Sequence, residues 1–400
     1  MSTKQFYITI YFRIALLFFF VSAVYGWMMR LQHVLTIPKF IYGHFLQAHS
    51  HVTFLGWGFI ATISLVVYAF APELIQRKKQ RISFLIIIIT LIGMLISFPV
   101  QGYKLFSILF LSIYLLTSYV IIWYVYKALR NDKDLPSLFI KTGIIYYYLS
   151  SIAIWAIPVI SLKIGKGELY HNAIGFYTHF LYNGFFVFIL FGLLFKYLDS
   201  SNVKLNKLLK QFYNYTNYAM FPVFFLVLYM NESYSNTVVL LALVGVILQL
   251  ISLKFIISFL QKTSINNDFP KTLKWTSYVV FIAFVFKLII QFLSAFPSLF
   301  NEALSFKSYF VIGYIHLFTL GFMSLFILIL YQLFSKKELS KTGVILFSVG
   351  VILSELVLFT EGTLSMYASS SLPFYNKLIL FASTLMPLGI AFVLIKVLKK

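Results

Sequence analysis

The sequence predicts an all-α polytopic membrane protein with about 12 transmembrane helices. Of its 400 residues, 61% are hydrophobic and only 11% are charged, and the mean hydropathy is +0.91. Soluble domains carry about 25% charged residues, so a chain this apolar must expose much of its surface to lipid. The apolar residues are also gathered into runs of about 20, the length of helix that crosses a bilayer.

Each apolar run is assigned to one span. We expect the first run to be retained as a span, because Arg13 interrupts it and no small-residue cleavage site follows. The connection Pro99–Gly102 is so short that it predicts a tight turn. No internal repeat is apparent, and residues 1–400 are predicted to form a single transmembrane domain. The runs cover roughly 6–30, 41–70, 82–100, 103–127, 138–161, 172–198, 207–230, 236–260, 271–295, 308–334, 341–361 and 374–398.

The basic residues predict the orientation of the chain. Most of the 32 lysines and arginines fall in loops on the same side as the N-terminus, and the positive-inside rule places that side in the cytoplasm. Both termini are therefore predicted to be cytoplasmic. The net charge of +21 indicates attraction to anionic membrane lipid rather than to nucleic acid. An integral protein of a bacterial cytoplasmic membrane is expected.

Cysteine is absent from the sequence. This excludes disulfides, thiolate-ligated haem, iron–sulfur clusters on protein thiolates and cysteine zinc sites. The sequence also lacks a P-loop, a GxSxG motif and an HExxH motif. The ionisable residues inside the spans are therefore the candidates for function.

Three of the seven histidines lie inside predicted spans: His51 in the second, His179 in the sixth and His316 in the tenth. They lie about ten, seven and eight residues from the predicted outer ends, which places all three in the outer third of the bilayer at helical rise. A shared haem or metal layer requires such agreement in depth. The remaining histidines fall at the outer ends of spans: His33, His44, His49 and His171.

Helical spacing distinguishes among these histidines. His44 and His51 are seven residues apart and share one face, which Gly58 also shares, whereas His49 points about 200° away from His51. A bis-imidazole haem needs one neutral histidine from each of two facing helices, and we predict a haem b held by His51 and His316. His179 is the candidate ligand for copper or another second metal.

Other interpretations of the histidines stay open. A separate metal site could be built from His44, His49, His171 and His179. Alternatively, each histidine could serve only as a hydrogen-bonding group between helices. His33 and His171 are expected at the membrane interface.

Twelve spans, with a histidine in the second span within HVTFLGWGF and others in the sixth and tenth spans, resemble subunit I of the haem–copper oxidase superfamily. The elements AHSHVTFLG and HLFTLG are also similar to the smaller membrane haem–copper proteins of the nitric-oxide response. The resemblance implies an oxidase-like helix bundle in which His51 and His316 bind a low-spin haem and His179 binds copper. It further implies a respiratory oxidoreductase with a quinol or cytochrome as electron donor and a small gas, oxygen or nitric oxide, as ligand.

Two departures from the family leave the enzymatic activity open. The run 207–230 has no histidine where the oxidases carry an adjacent pair, and Tyr314 stands where they carry a second histidine in the tenth span. A tyrosinate is able to bind haem iron, but a tyrosine in a membrane bundle also serves as a hydrogen-bonding group. The ligand set for oxygen or nitric oxide reduction is thus incomplete, and no catalytic residue is assigned.

Three function classes follow. The first is a redox protein that passes electrons or handles a small gas. The second is a transporter of a transition metal or small solute that uses the outer-face histidines, and the third is a non-catalytic haem sensor. Transporters place their sites near the midplane, at matched helix breaks in two halves, so the histidine layer favours the redox class.

Glu355 and Lys287 are further candidates for a proton path, for balancing a haem propionate or for pairing with each other.

Overall fold

The computed structural model describes residues 3–201, 203–204, 206–230, 235–263, 269–368 and 370–399. Every regular element in these ranges is helical. Eleven helical stretches within them are long and apolar enough to cross a membrane. A polytopic helical membrane protein is thereby confirmed, whereas the oxidase-like arrangement of the helices stays a prediction.

The α-helices are numbered in chain order. They are α1 (Thr3–Leu31), α2 (Tyr42–His51), α3 (Ile60–Phe70), α4 (Lys78–Gln101), α5 (Leu105–Leu129), α6 (Leu135–Lys163), α7 (Glu168–His179), α8 (Val187–Ser200), α9 (Lys207–Phe224), α10 (Asn236–Lys262), α11 (Lys271–Leu293), α12 (Pro297–Ser305), α13 (Lys307–His316), α14 (Leu325–Ser335), α15 (Lys341–Tyr367) and α16 (Tyr375–Leu398). Three π-helical segments continue α2, α7 and α13 without a break: π1 (Val52–Phe59), π2 (Phe180–Phe186) and π3 (Leu317–Ser324).

The predicted span over 207–230 is not among the eleven. Its first part forms α9, and a 3₁₀ helix, Phe225–Met230, replaces the α-helix after Phe224. The polar side chains of α9 bond to α6: Tyr146 donates to Asn217 Oδ1 at 2.6 Å, and Thr142 and Tyr213 share a hydrogen bond of 2.8 Å. The first part of the run 207–230 therefore carries polar residues that hydrogen-bond to α6, and its apolar last part is not α-helical.

The turn between the third and fourth spans lies later than predicted. Helix α4 continues through Pro99 to Gln101, and the chain reverses over Gly102, Tyr103 and Lys104. Gly102 has φ +63°, and a Cβ there would lie 2.7 Å from the His44 ring. Only glycine meets both demands without strain. The proline thus falls in the last turn of α4, and the glycine makes the reversal.

The chain divides into two compact units. Unit 1 consists of Met1–Asn131, Ser324–Leu364 and Ser370–Lys400, and unit 2 of Asp132–Met323 and Ser365–Ser369. The single transmembrane domain over 1–400 and the cytoplasmic termini stay predictions of the sequence.

In unit 1, α1 packs against α2, π1, α3, α14 and α16. Its aromatic side chains stack on neighbours, with Phe19 on Trp57 at 4.6 Å and Phe12 on Tyr331 at 3.5 Å between ring centroids. Arg13, the charge that interrupts the first apolar run, donates from Nε to the Val397 carbonyl at 3.0 Å. Carbonyls in the last turn of a helix lack intrahelical donors, so Arg13 satisfies the end of α16.

In unit 2, α6 packs against α7, π2 and α8, and α9 packs against α10. The side chain of Phe139 on α6 is fully buried among the rings of Phe188, Phe195, Phe212 and Tyr213. These ring contacts join α6, α8 and α9, and they supply the apolar part of the unit 2 core.

Candidate functional site

The three histidines predicted inside spans occupy equivalent positions in the secondary structure. His51 ends α2, His179 ends α7 and His316 ends α13, and a π-helical segment follows each one directly. A π-helical turn shifts backbone hydrogen bonds from i→i+4 to i→i+5 and is often found at functional sites. The structure therefore marks these three positions as a set, independently of the residue type.

A short sequence pattern accompanies these three histidines, although no longer internal repeat is apparent in the chain. Each histidine is followed five positions later by glycine and then by an aromatic residue, in HVTFLGW, HFLYNGF and HLFTLGF. Two of these glycines leave room for an aromatic side chain on another helix, α1 for Gly56 and α6 for Gly184. A Cβ on Gly56 would lie 2.9 Å from Phe18, and one on Gly184 would lie 2.6 Å from Tyr146. The expectation that Gly58 shares the His51 face assumed regular α-helical spacing, whereas the backbone over π1 is π-helical.

His51 is held by contacts on both ring nitrogens. Its Nδ1 lies 2.8 Å from the Gln47 carbonyl of the same helix, and its Nε2 lies 3.0 Å from the hydroxyl of Tyr103. The ring also stacks on Phe98, with 4.8 Å between centroids and 28° between planes. His51 therefore faces the C-terminal end of α4 and the turn that follows it.

His44 and His49 confirm the helical-face argument. His44 faces the same end of α4 as His51, with Nδ1 3.3 Å from the Pro99 carbonyl. His49 faces α1 instead, with Nδ1 2.7 Å from the Ser22 carbonyl. His49 and His51 thus point at different helices, as their spacing predicts.

These contacts decide which ring nitrogen carries the proton. A carbonyl oxygen only accepts hydrogen bonds, so Nδ1 of neutral His44, His49 and His51 is the N–H donor. The lone pair then lies on Nε2. Metal-bound histidines commonly donate the other ring N–H to a backbone carbonyl, which fixes the ring and raises its basicity. His51 meets this requirement for an Nε2 ligand, and the Tyr103 hydroxyl donates to that lone pair.

His179 has the opposite arrangement. Its Nε2 lies 2.8 Å from the Met220 carbonyl on α9, so Nε2 is the donor, and its Nδ1 lies 3.2 Å from Asn183 Nδ2 in π2. The side chain is buried. Both nitrogens already have protein partners, so a copper ion on His179 would have to displace one of them. The copper site stays a prediction, and these contacts give His179 a structural role.

We predict that the His179–Asn183 contact contributes to stability. Asn183→Leu removes the amide that donates to Nδ1 and should lower the free energy of unfolding by about 1 kcal/mol, the net contribution of a typical hydrogen bond within a protein. Thermal unfolding in detergent would measure the loss. A double variant with His179→Phe should lose less than the two single variants together, because both changes remove the same contact. Additive losses would contradict it.

Unit 2 brings the sixth and tenth spans together beside these histidines. Tyr182 stacks on Phe318 with 5.3 Å between ring centroids, and Asn183 lies beside the Tyr314 hydroxyl. Whether Tyr314 serves as a hydrogen-bonding group or as a ligand stays a prediction. The side chain of His316 is half-buried. In the sequence, His316 lies two residues after Tyr314 and two residues before Phe318.

Unit 1 brings the second and tenth spans together. Trp57, which follows His51 in π1, donates from Nε1 to Ser324 Oγ at the end of π3, at 2.9 Å. Trp57 and Ser324 are fully buried. This bond joins π1 to the last residue of π3, whereas His316 itself belongs to unit 2.

The other predicted ligands are more dispersed. His33 lies exposed in the turn after α1, and His171 lies exposed in the first turn of α7, which begins at Glu168 rather than near 172. Within the described residues, no three His, Asp or Glu side chains lie close enough to hold a metal ion. Of the predicted set of His44, His49, His171 and His179, the first two belong to unit 1 and the last two to unit 2.

Glu355 and Lys287, the further candidates named from the sequence, are both buried. Glu355 on α15 accepts a hydrogen bond from Ser354 at 3.3 Å, and Lys287 on α11 lies 5.7 Å from the centroid of the Phe284 ring. Lys287 also lies near His179. Glu355 belongs to unit 1 and Lys287 to unit 2, and their pairing stays a prediction.

Comparison of the chain with protein-family models and with curated proteins finds no match. The functional argument therefore depends on the side chains themselves.

Proposed function

We propose that this protein is a haem-binding integral membrane redox protein. His51, through Nε2, and His316, from the sequence, would be the residues that hold the iron of a b-type haem. The single observation that carries the proposal is the hydrogen bond from His51 Nδ1 to the Gln47 carbonyl, which puts the lone pair on Nε2, where the Tyr103 hydroxyl now lies. The adjacency of the second and tenth spans at Trp57 and Ser324 supports the pairing.

The residues around His51 would set its geometry as a ligand. The Gln47 carbonyl holds the Nδ1 proton, so Nε2 stays unprotonated in the neutral ring. Phe98 fixes the plane of the imidazole by stacking. Tyr103 lies half-exposed in the turn after α4, and an iron bound at Nε2 would have to displace its hydroxyl.

A bound haem would supply one-electron redox chemistry inside the membrane. The chain would hold the iron through imidazole and surround the macrocycle with apolar side chains, which controls the redox potential. Electron transfer, with a quinol or cytochrome as donor, fits an iron held by two imidazoles, and a small gas would have to displace one imidazole to bind it. We place the protein in the bacterial cytoplasmic membrane with membrane lipid around it.

A reduced-minus-oxidised optical spectrum of the purified protein, combined with metal analysis, tests the proposal. Protein expressed in haem-sufficient cells should show b-type bands and bound iron. Carbon monoxide would shift the bands if a coordination position on the iron is open, and copper in the metal analysis would support the site at His179. Protein without haem absorbance would overturn the proposal, and metal uptake by vesicles containing it would favour the transporter alternative.

A further inference from the structure

A small cavity lies at the opposite end of unit 1 from the histidines of α2, where α4 begins. It has a volume of about 240 Å³ and is lined by Arg77, Lys78, Lys79, Gln80 and Tyr124. Pockets for drug-sized ligands occupy about 300–1,000 Å³, so this cavity suits a smaller group. Three of its five lining residues are cations, which indicates an anion.

The backbone at this position also favours an anion. Arg77 is the N-cap of α4, a helix of 24 residues, and no side chain among the described residues caps it. The first N–H groups of a helix have no partner within the helix, and the helix dipole adds positive potential at the same end. Long helices often bind phosphate in this way.

Gln80 provides the independent observation. Its side chain is 1% exposed and lines the cavity. Within the described parts of the chain, neither Nε2 nor Oε1 of Gln80 has a hydrogen-bond partner. Glutamine at this third helical position commonly bonds back to the N-cap N–H, but here it does not. A buried amide without partners costs free energy, and an oxygen-rich anion beside Nε2 would offset that cost.

We propose that this cavity binds a phosphate group, held by the Gln80 amide, the first turn of α4 and the cations at positions 77–79. The positive-inside prediction places the cavity at the cytoplasmic face. Both the headgroup of an anionic phospholipid and a free phosphate present the required chemistry there. The site is independent of the haem, since it shares no residue with the His51 surroundings.

The test compares two probes on the whole detergent-purified protein, whose melting temperature rises when a ligand binds the folded state. The first probe is phosphatidic acid in mixed micelles, with phosphatidylcholine as reference. The second is inorganic phosphate, compared with chloride at equal ionic strength. A shift with phosphatidic acid alone indicates a lipid headgroup site, and a shift with both probes indicates a general phosphate site. No shift with either probe overturns the proposal.

Variants locate the binding. Gln80→Met keeps the size of the side chain but removes the amide, and Arg77→Gln removes an exposed cation. Each should weaken the apparent affinity by about tenfold, because hydrogen bonds to charged groups are among the stronger ones. The control is Lys127→Gln, an exposed cation near the end of α5 that does not line the cavity. Equal affinity in wild type, Gln80→Met and Arg77→Gln would refute the site even where binding occurs.

Discussion

Replacing His51 by alanine is expected to abolish the b-type absorbance of the purified protein. Alanine has no donor for the iron, and a bis-imidazole site that loses one ligand no longer holds a low-spin haem. The measurement is the reduced-minus-oxidised spectrum at equal protein concentration. His316→Ala should have the same effect, because the sequence assigns it the second axial position.

Two controls separate ligand loss from misfolding. His33→Ala and His171→Ala remove exposed imidazoles outside the predicted haem site and should retain the full spectrum. His51→Gly leaves space in which free imidazole is able to bind, so millimolar imidazole should restore part of the signal. A normal spectrum in His51→Ala would refute the ligand assignment, and loss of the signal in His33→Ala would indicate a non-specific effect.

Gly389→Ala is expected to destabilise unit 1 strongly. A Cβ at position 389 would lie 2.5 Å from the Phe347 nitrogen and 2.6 Å from the Gly343 carbonyl oxygen. These are backbone atoms of α15, so the two helices would have to separate. Small residues permit such close approach between membrane helices, and overpacking costs about 1–3 kcal/mol or more. The melting temperature in detergent should fall clearly, whether or not haem is bound.

Gly43→Ala is the matched control for this prediction. Gly43 lies in the first turn of α2, and a Cβ there would meet nothing within 4 Å. The same chemical change should therefore leave the melting temperature unchanged or slightly raised, because alanine favours a helix more than glycine does. Equal melting temperatures for the two variants would contradict the close packing of α15 on α16.

The candidate site shows how far sequence reasoning reached. Spacing alone predicted that His49 and His51 face different directions, and the structure agrees, because α2 is a regular helix through both residues. The same reasoning does not extend to Gly58, because the chain departs from α-helical spacing over π1. The His-x4-Gly-aromatic pattern was readable in the sequence, but only its coincidence with three π-helical segments made it significant.

The sequence by itself determined the properties that depend only on nearby residues in the chain and on the thickness of the bilayer. The apolar runs, their approximate ends and the spans that carry histidine follow from the number of residues a helix needs to cross hydrocarbon. The concentration of lysine and arginine in the loops on one side of the membrane is likewise visible in the sequence and predicts the orientation. These properties depend on neighbours in the chain and not on the fold.

Only the tertiary structure decided the protonation pattern of His44, His49 and His179 and the fate of the run 207–230. Whether Nδ1 or Nε2 carries the proton depends on the carbonyl that faces it, and Pro99, Ser22 and Met220 all lie far from their histidines in sequence. Likewise, the polar residues of α9 are accommodated because α6 offers them partners. Hydrogen bonding is directional and non-local, so its outcome depends on which helices the fold brings together.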